Sequence, residues 1–349
     1  MNERSFLGVR FLGVRFRASL ITVLAVAYYF AARSVAHHSA AGLVSSDWSP
    51  LVKQAMLVFL TVFGFAGFGI LFDRQRIPID EQGLPLREGF AKEAGLGISV
   101  GWGLAALCAL ILAAFGGIAI VLNTQPAAWK WLLADAAFFA LAALAEEIAF
   151  RGYAFQCLVR ALGPFGAALA FAALYALVEL HRPGASRASL AVSILLSFLL
   201  SLAYLRTRAL WVGWGINFAW KASRALLFGL VISGVSSHSS VVEGDPMGPF
   251  WLTGGGYGLD GSWLAFGLLL LAIPLVYRLT RDLDFKHNAP AIVPAGIPVD
   301  LDAAARRQHE QAMGTETPAV APLVQIAPAA GSATPAASAP DPSRQSPSA

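Results

Sequence analysis

Charged residues are scarce in this chain of 349 residues, since Asp, Glu, Lys and Arg together make up 13% of the sequence. A typical soluble domain has about 25%. Hydrophobic residues make up 57%. This composition excludes an ordinary soluble domain and predicts a polytopic membrane protein whose core is a bundle of helices.

Cysteine is also rare, with only Cys108 and Cys157, both inside apolar runs. Two isolated cysteines exclude a disulfide framework and a CxxC metal site, and each is expected to be a small buried side chain. The sequence has no Walker motif for nucleotide binding. The net charge of +4 comes from arginines between apolar runs rather than from a basic patch, so no nucleic-acid partner is predicted.

Eight apolar runs are long enough to cross a bilayer, which takes about 20 helical residues. They fall near residues 18–35, 53–72, 95–122, 130–160, 164–181, 188–205, 209–233 and 262–280. Basic residues are concentrated in alternate connections, so the positive-inside rule places both termini in the cytoplasm. The sequence therefore predicts an all-α membrane protein, a bundle of about eight transmembrane helices in the lipid bilayer of the plasma (inner) membrane.

Composition changes at both ends of the chain. Residues 1–17 form a basic lead-in with an immediate repeat of Phe-Leu-Gly-Val-Arg. We predict that the helical membrane domain covers residues 18–285. Residues 286–349 are rich in Ala and Pro and contain too few large apolar residues for a core, so they are expected to form a disordered tail.

Two adjacent glutamates and an arginine lie inside the fourth apolar run: Glu146, Glu147 and Arg151. A charged side chain at the membrane centre costs about 2.5–3.5 kcal/mol, so such residues usually serve a function. Glu147 and Arg151 are four residues apart and are expected to form an ion pair on one helix face. Glu146 lies about 100° further round the helix, without a local cation, and is the first candidate for chemistry. A purely structural network of the three residues stays open.

A Gly-Pro pair at positions 163 and 164 predicts a turn after the fourth run. Glu146 lies 17 residues before this turn and His181 about 17 residues after it. In an antiparallel helical hairpin the two side chains would reach the same depth. The alternative is that His181 only caps its helix near the membrane interface.

The seventh run contributes two more polar residues, Asn217 and Lys221, which share a helix face. Lys221 is about 14 residues beyond the preceding turn and so reaches a depth near that of Glu146. Gly213 and Gly215 are expected to let a neighbouring helix approach closely. Lys221 could instead neutralise Glu146 in a structural ion pair, and this alternative stays open.

The segment Glu-Glu-x-x-x-Arg-Gly at residues 146–152, followed by His181 and a Trp-rich helix, resembles the CPBP family of intramembrane proteases. This family includes the CAAX prenyl endopeptidases and the bacteriocin-processing, Abi-type enzymes. The resemblance covers about residues 132–229 and implies a protease-like core at about 130–230.

The resemblance implies a role for each matching residue. Glu146 matches the glutamate that activates water, and Glu147 and Arg151 match the other fixed positions of the first motif. His181 matches the histidine of the second motif, Phe-x-x-x-His, although this chain has Leu177 where Phe is usual.

The third motif of the family is His-x-x-x-Asn, and it aligns with Asn217 and Lys221, so both residues differ. An amide and an ammonium group are both donors, which an oxyanion hole requires. The resemblance leaves open a divalent metal such as zinc, with Glu146 and His181 as ligands if one binds. A metalloprotease and a glutamic protease are both compatible with the resemblance.

These observations predict an intramembrane endopeptidase that hydrolyses a peptide bond of a membrane-associated or lipidated peptide or protein. Glu146 would activate the water together with His181. The alternative is a catalytically silent family member that binds or regulates a membrane partner. A proton-coupled transporter ranks third, because no related halves are visible in the sequence.

Overall fold

The computed structural model of the protein describes residues 3–115, 118–122, 124, 126–232, 242–288 and 309. The predicted disordered tail lies almost entirely outside these residues. The elements in chain order are α1 (Glu3–Leu43), α2 (Ser49–Asp73), α3 (Pro78–Glu81), α4 (Phe90–Ala114), β1 (Ile118–Leu122), α5 (Pro126–Arg151), α6 (Tyr153–Leu180), α7 (Arg187–Thr207), α8 (Trp211–Ala222), a π-helical turn (Ser223–Leu227), β2 (Val242–Pro246), α9 (Phe250–Thr253), two 3-10 turns (Gly255–Tyr257 and Leu259–Gly261), α10 (Trp263–Leu279) and α11 (Arg281–Asn288).

Five helical stretches in the described part of the chain are long and apolar enough to cross a membrane. They are Arg15–Leu43, Ser49–Asp73, Phe90–Ala114, Trp131–Leu180 and Arg187–Thr207. Together they support an integral membrane protein, but the predicted count of eight is not confirmed. The seventh run forms only the 12 residues of α8 before the π-helical turn, and α10 has 17 residues.

The expectation of an all-α fold needs one correction. β1 and β2 pair in an antiparallel ribbon, with Ile118 opposite Pro246 and Leu122 opposite Val242. The third apolar run therefore ends as a helix at Ala114, and its last residues form a strand. Isoleucine and valine dominate this strand, and β-branched residues favour the extended conformation.

Gly152 and Gly163 divide the long apolar stretch from α5 to α6. Gly152 separates the two helices, and a Cβ on it would meet the carbonyl oxygen of Ile148. Gly163 has φ 78° and ψ 170°, a conformation that favours glycine, and Pro164 follows it. The rings of Phe155 and Phe171, on either side of this position, contact each other with centroids 5.6 Å apart. The chain therefore reverses at Gly163 and Pro164. The predicted turn is therefore present.

Glycines hold α8 against α4. A Cβ at Gly97 would meet the carbonyl oxygen of Val212, and a Cβ at Gly215 would meet the backbone of α4 at Ala94 and Ile98. Small residues at such crossings let two helix backbones approach closely in a membrane. The expectation for Gly215 is confirmed, and this contact fixes the helix that carries Asn217 and Lys221.

The far end of α8 is anchored by a buried ion pair. Arg224, in the π-helical turn, places Nη1 2.8 Å from Oδ1 of Asp260 and donates from Nε to the Trp220 carbonyl oxygen at 2.7 Å. The Trp220 indole N–H donates to the same Asp260 oxygen at 3.3 Å. Single π-turns in helices occur frequently at functional sites, and this one directly follows the helix that carries Lys221.

Candidate active site

Glu147 and Arg151 form the pair that their spacing predicts. Nη1 of Arg151 lies 3.5 Å from Oε1 of Glu147, and neither side chain is exposed. Arg151 also donates from Nη2 to the carbonyl oxygen and the hydroxyl of Ser197, each at 2.8 Å. This pair therefore ties the end of α5 to α7 inside the protein.

Lys221, on helix α8, supplies a cation to Glu146. Its Oε2 accepts hydrogen bonds from Nζ of Lys221 at 2.5 Å and from Nδ2 of Asn217 at 3.0 Å, and the Tyr175 hydroxyl lies 3.4 Å away. The side chains of Glu146 and Lys221 are 19% and 13% exposed. The glutamate expected to lack a local cation is thus paired across the bundle, at a partly exposed position.

Asn217 bridges the two glutamates. Its Nδ2 donates to Oε2 of Glu146 at 3.0 Å and to Oε1 of Glu147 at 3.3 Å. An ionised carboxylate only accepts hydrogen bonds, so the amide nitrogen must face both groups. Both N–H bonds of this amide are therefore directed at carboxylates.

Gly213 makes room for the buried carboxylate. A Cβ at this position would lie 2.7 Å from Oε2 of Glu147. Oε2 itself has no hydrogen-bond partner in the described part of the chain. Gly213 was expected to serve helix packing, as Gly215 does, but its missing side chain instead accommodates Glu147.

The structure does not bring His181 into this group. His181 caps the end of α6, is exposed, and has its Nδ1 2.8 Å from the carbonyl oxygen of Leu177 in its own helix. Among the described residues no hydrogen bond joins it to Glu146. The predicted depth was nearly right, because Phe150 contacts Tyr175 across the same hairpin. The shared depth does not bring the two side chains into a hydrogen bond in the described part of the chain.

Tyr175 and Glu179 share one face of α6, and Arg182 follows just after the helix end, at the i+7 position from Tyr175. His181 falls off that face. Glu179 is buried, pairs with Nε of Arg182 at 3.0 Å, and accepts a hydrogen bond from the hydroxyl of Tyr257. Sequence reasoning missed these residues, although their helical spacing was a usable signal.

Arg182 adds positive charge to the surroundings of Glu146. Burial acts to lower the pKa of the Arg182 guanidinium, but carboxylates, Glu179 first and then Glu146, outweigh burial and raise the pKa above its ordinary value. Arg182 therefore stays charged, and two cations, Lys221 and Arg182, act on Glu146.

Comparison with known protein families identifies this segment. Residues 127–223 match the family described as Type II CAAX prenyl endopeptidase Rce1-like. The predicted resemblance is confirmed. The Rce1-like segment runs from α5 to the start of the π-helical turn, and it contains all six site residues predicted from the sequence. No curated protein and no solved structure matches the chain.

The Rce1-like segment does not offer the donor set of a zinc site in this arrangement. A catalytic zinc needs three protein ligands, and the described residues contain no group of three His, Cys, Asp or Glu side chains able to hold a metal. Of the two expected ligands, Glu146 holds an ammonium group on Oε2, and His181 faces its own helix. The chemistry is therefore derived from Glu146 and its donors alone.

Proposed function

We propose that the protein is an intramembrane endopeptidase that hydrolyses a peptide bond of a membrane-associated or lipidated peptide or protein. One observation carries this proposal. Glu146, inside the Rce1-like segment, is a partly accessible carboxylate held at 2.5 and 3.0 Å by Lys221 and Asn217. The match to a protease family and the position within a membrane-spanning helix support the reaction class.

In the proposed reaction Glu146 acts as general base. Its carboxylate takes a proton from water while the water oxygen forms a bond to the carbonyl carbon. The developing oxyanion then needs a donor. Lys221 carries three N–H bonds, and the one to Glu146 leaves others for the oxyanion. The C–N bond breaks as the leaving amine takes the proton from Glu146. Asn217 positions both carboxylates throughout.

A catalytically silent family member is the second candidate, and the Glu146–Lys221 pair is the observation that favours it. An ammonium group 2.5 Å from the carboxylate neutralises its charge, as in a structural ion pair. The family's third motif has His and Asn where this chain has Asn217 and Lys221. In this reading the polar cluster only shapes a surface for a membrane partner.

The test is cleavage by the purified full-length protein in lipid nanodiscs. Peptides with and without a C-terminal prenyl group serve as substrates, and products are measured by mass spectrometry. We expect product from the wild type, none above background from Glu146→Gln, and no change on adding a chelator. Equal product from the wild type and Glu146→Gln would remove Glu146 from the mechanism.

A double variant, N217H/K221N, separates the two candidates. It installs the residues that the resemblance expects in the third motif. If the wild type is active, the double variant should cleave more slowly, because it lacks the Lys221 donor. If the wild type is inactive and the double variant cleaves, the chain is a degenerate member whose function is binding or regulation.

We also propose the membrane orientation that the charge distribution favours, with both termini in the cytoplasm of a cell with a plasma (inner) membrane. Reporter fusions at residues 17 and 288 test it. A reporter that is active only outside the cytoplasm should be inactive at both positions.

A further inference from the structure

A polar cavity lies apart from Glu146 and its partners. Its volume is about 370 Å³, and its lining includes the cations Arg160 and Arg208 and the carboxylates Asp80 and Glu81. None of the residues bound to Glu146 lines it. The volume falls within the range of small-molecule sites, about 300–1,000 Å³, so the cavity has room for a polar ligand of modest size.

The cavity is built where membrane-spanning helices end. α2 ends at Asp73, and α7 ends at Thr207 with Arg208 as its C-cap. Next to the cavity residue Gln75, the chain exposes Leu71 and Ile77, at 74% and 59%. Large exposed apolar side chains beside a charged cavity are the arrangement expected at the boundary between the lipid tails and the headgroups.

Arg160 keeps donors available for a ligand. Its hydrogen bonds within the described part of the chain all come from Nη2, to Oδ2 of Asp73 at 2.6 Å and to Sγ of Cys157 at 2.9 Å. The side chain is 47% exposed. Nη1 and Nε can therefore donate to an oxyanion, and guanidinium groups bind phosphate through such paired donors.

An acceptor side complements these donors. Asp80 and Glu81 are exposed in α3 and line the same cavity. The cavity thus presents two cations and two anions.

We propose that this cavity binds the zwitterionic phosphoethanolamine headgroup of a phospholipid. The phosphate contacts Arg160 and Arg208, and the ammonium contacts Asp80 and Glu81. The balanced charge disfavours an anionic glycerol headgroup, which has no ammonium for the carboxylates. A choline headgroup has no N–H bond to donate to these carboxylates. The adjacent apolar residues favour the lipid over free phosphoethanolamine as the source of this group.

Native mass spectrometry of the full-length protein tests the proposal. The detergent-purified protein is titrated with phosphatidylethanolamine, phosphatidylglycerol and phosphatidylcholine that have identical acyl chains. We expect phosphatidylethanolamine to bind at least about fivefold more tightly than the other two. Arg208→Gln should weaken its binding about tenfold, the effect of losing one charge-assisted hydrogen bond.

Arg74→Gln is the matched control. Arg74 is also exposed, also ends a helix in the left-handed conformation, with φ 53° against 52° for Arg208, and does not line the cavity. It should bind the lipid as the wild type does. Equal loss in R74Q and R208Q would show general attraction to the membrane surface and overturn the proposal.

Two further arms complete the test. The double variant D80N/E81Q should abolish the preference for phosphatidylethanolamine over phosphatidylglycerol. Because it leaves Arg208 in place, it tests the proposal even if R208Q fails to fold. A preference that survives in this variant contradicts the assignment of the ammonium. Free phosphoethanolamine should displace the lipid only at far higher concentration. If it binds as tightly as the lipid, the ligand is a soluble molecule and the lipid assignment is wrong.

Discussion

Glu146 and Glu147 are neighbours in the chain, yet the fold gives them opposite surroundings. Glu147 is unexposed and pairs with Arg151 one turn along the same helix. Glu146 is 19% exposed and pairs with Lys221 on α8. Successive helical residues point about 100° apart, so one carboxylate faces the packed interior and the other is partly exposed. The first suits a structural role, and the second is available for chemistry.

The largest effect on cleavage is expected at Glu146, the partly exposed carboxylate of the two. Glu146→Gln removes the base but keeps the shape and the hydrogen bond from Asn217, so cleavage should fall about 10²–10⁴-fold, the contribution of a general base. The unfolding temperature should change little, because the side chain is partly exposed. Product formation and thermal unfolding are measured on the same sample. A variant that unfolds at a much lower temperature would instead give Glu146 a structural role.

Removing the partner of Glu147 should affect stability instead. Arg151→Met leaves an unpaired buried carboxylate, and breaking a buried pair in this way costs about 3–5 kcal/mol. A dye that fluoresces on reaction with thiols reports unfolding, because Cys108 and Cys157 are both free and buried. The double variant E147L/R151M should recover most of the loss. Lys221→Met should cost less than Arg151→Met, and the reverse order would contradict the comparison.

Gly213→Ala tests how tightly Glu147 is packed, from the neighbouring helix α8. The new methyl group would lie 2.7 Å from Oε2 of Glu147, and overpacking of a buried site costs about 1–3 kcal/mol. Gly103→Ala is the matched control, because no atom lies within 4 Å of a Cβ there. G103A should therefore leave the unfolding temperature unchanged or raise it. Equal behaviour of the two variants would mean that Glu147 can move away.

The sequence predicted what depends on a single helix or a single turn. The ion pair of Glu147 with Arg151 follows from their spacing of four, and the reversal at Gly163 follows from a Gly-Pro signal. The contact between Glu146 and Lys221 was weighed only as an alternative, because it depends on how α5 and α8 pack. Depth along a hairpin can be counted from residue numbers, whereas side-chain contacts across helices cannot.

Other features could not be read from local patterns. The ribbon of β1 and β2 joins segments more than 100 residues apart, and α8 stops early because a π-helical turn follows it. Apolar composition alone predicted eight spans, because it does not show where an α-helix changes to a π-helical turn or where a strand begins. The spacing of Tyr175, Glu179 and Arg182 indicates a shared side of this segment, whereas the prediction for the hairpin rested on the depth of His181.

His181 provides the smallest expected effect and the sharpest contrast with the sequence-based expectation. Its ring is exposed, and its one hydrogen bond in the described part of the chain is with the Leu177 carbonyl oxygen. His181→Ala should therefore change stability by about 0.5 kcal/mol or less, as exposed substitutions usually do, and cleavage by no more than about twofold. Tyr175→Phe, which removes the hydroxyl next to Glu146, should slow cleavage more. If H181A instead abolishes cleavage in a folded protein, the end of α6 must turn inward when substrate binds, and the base would then work with an imidazole as the resemblance implies.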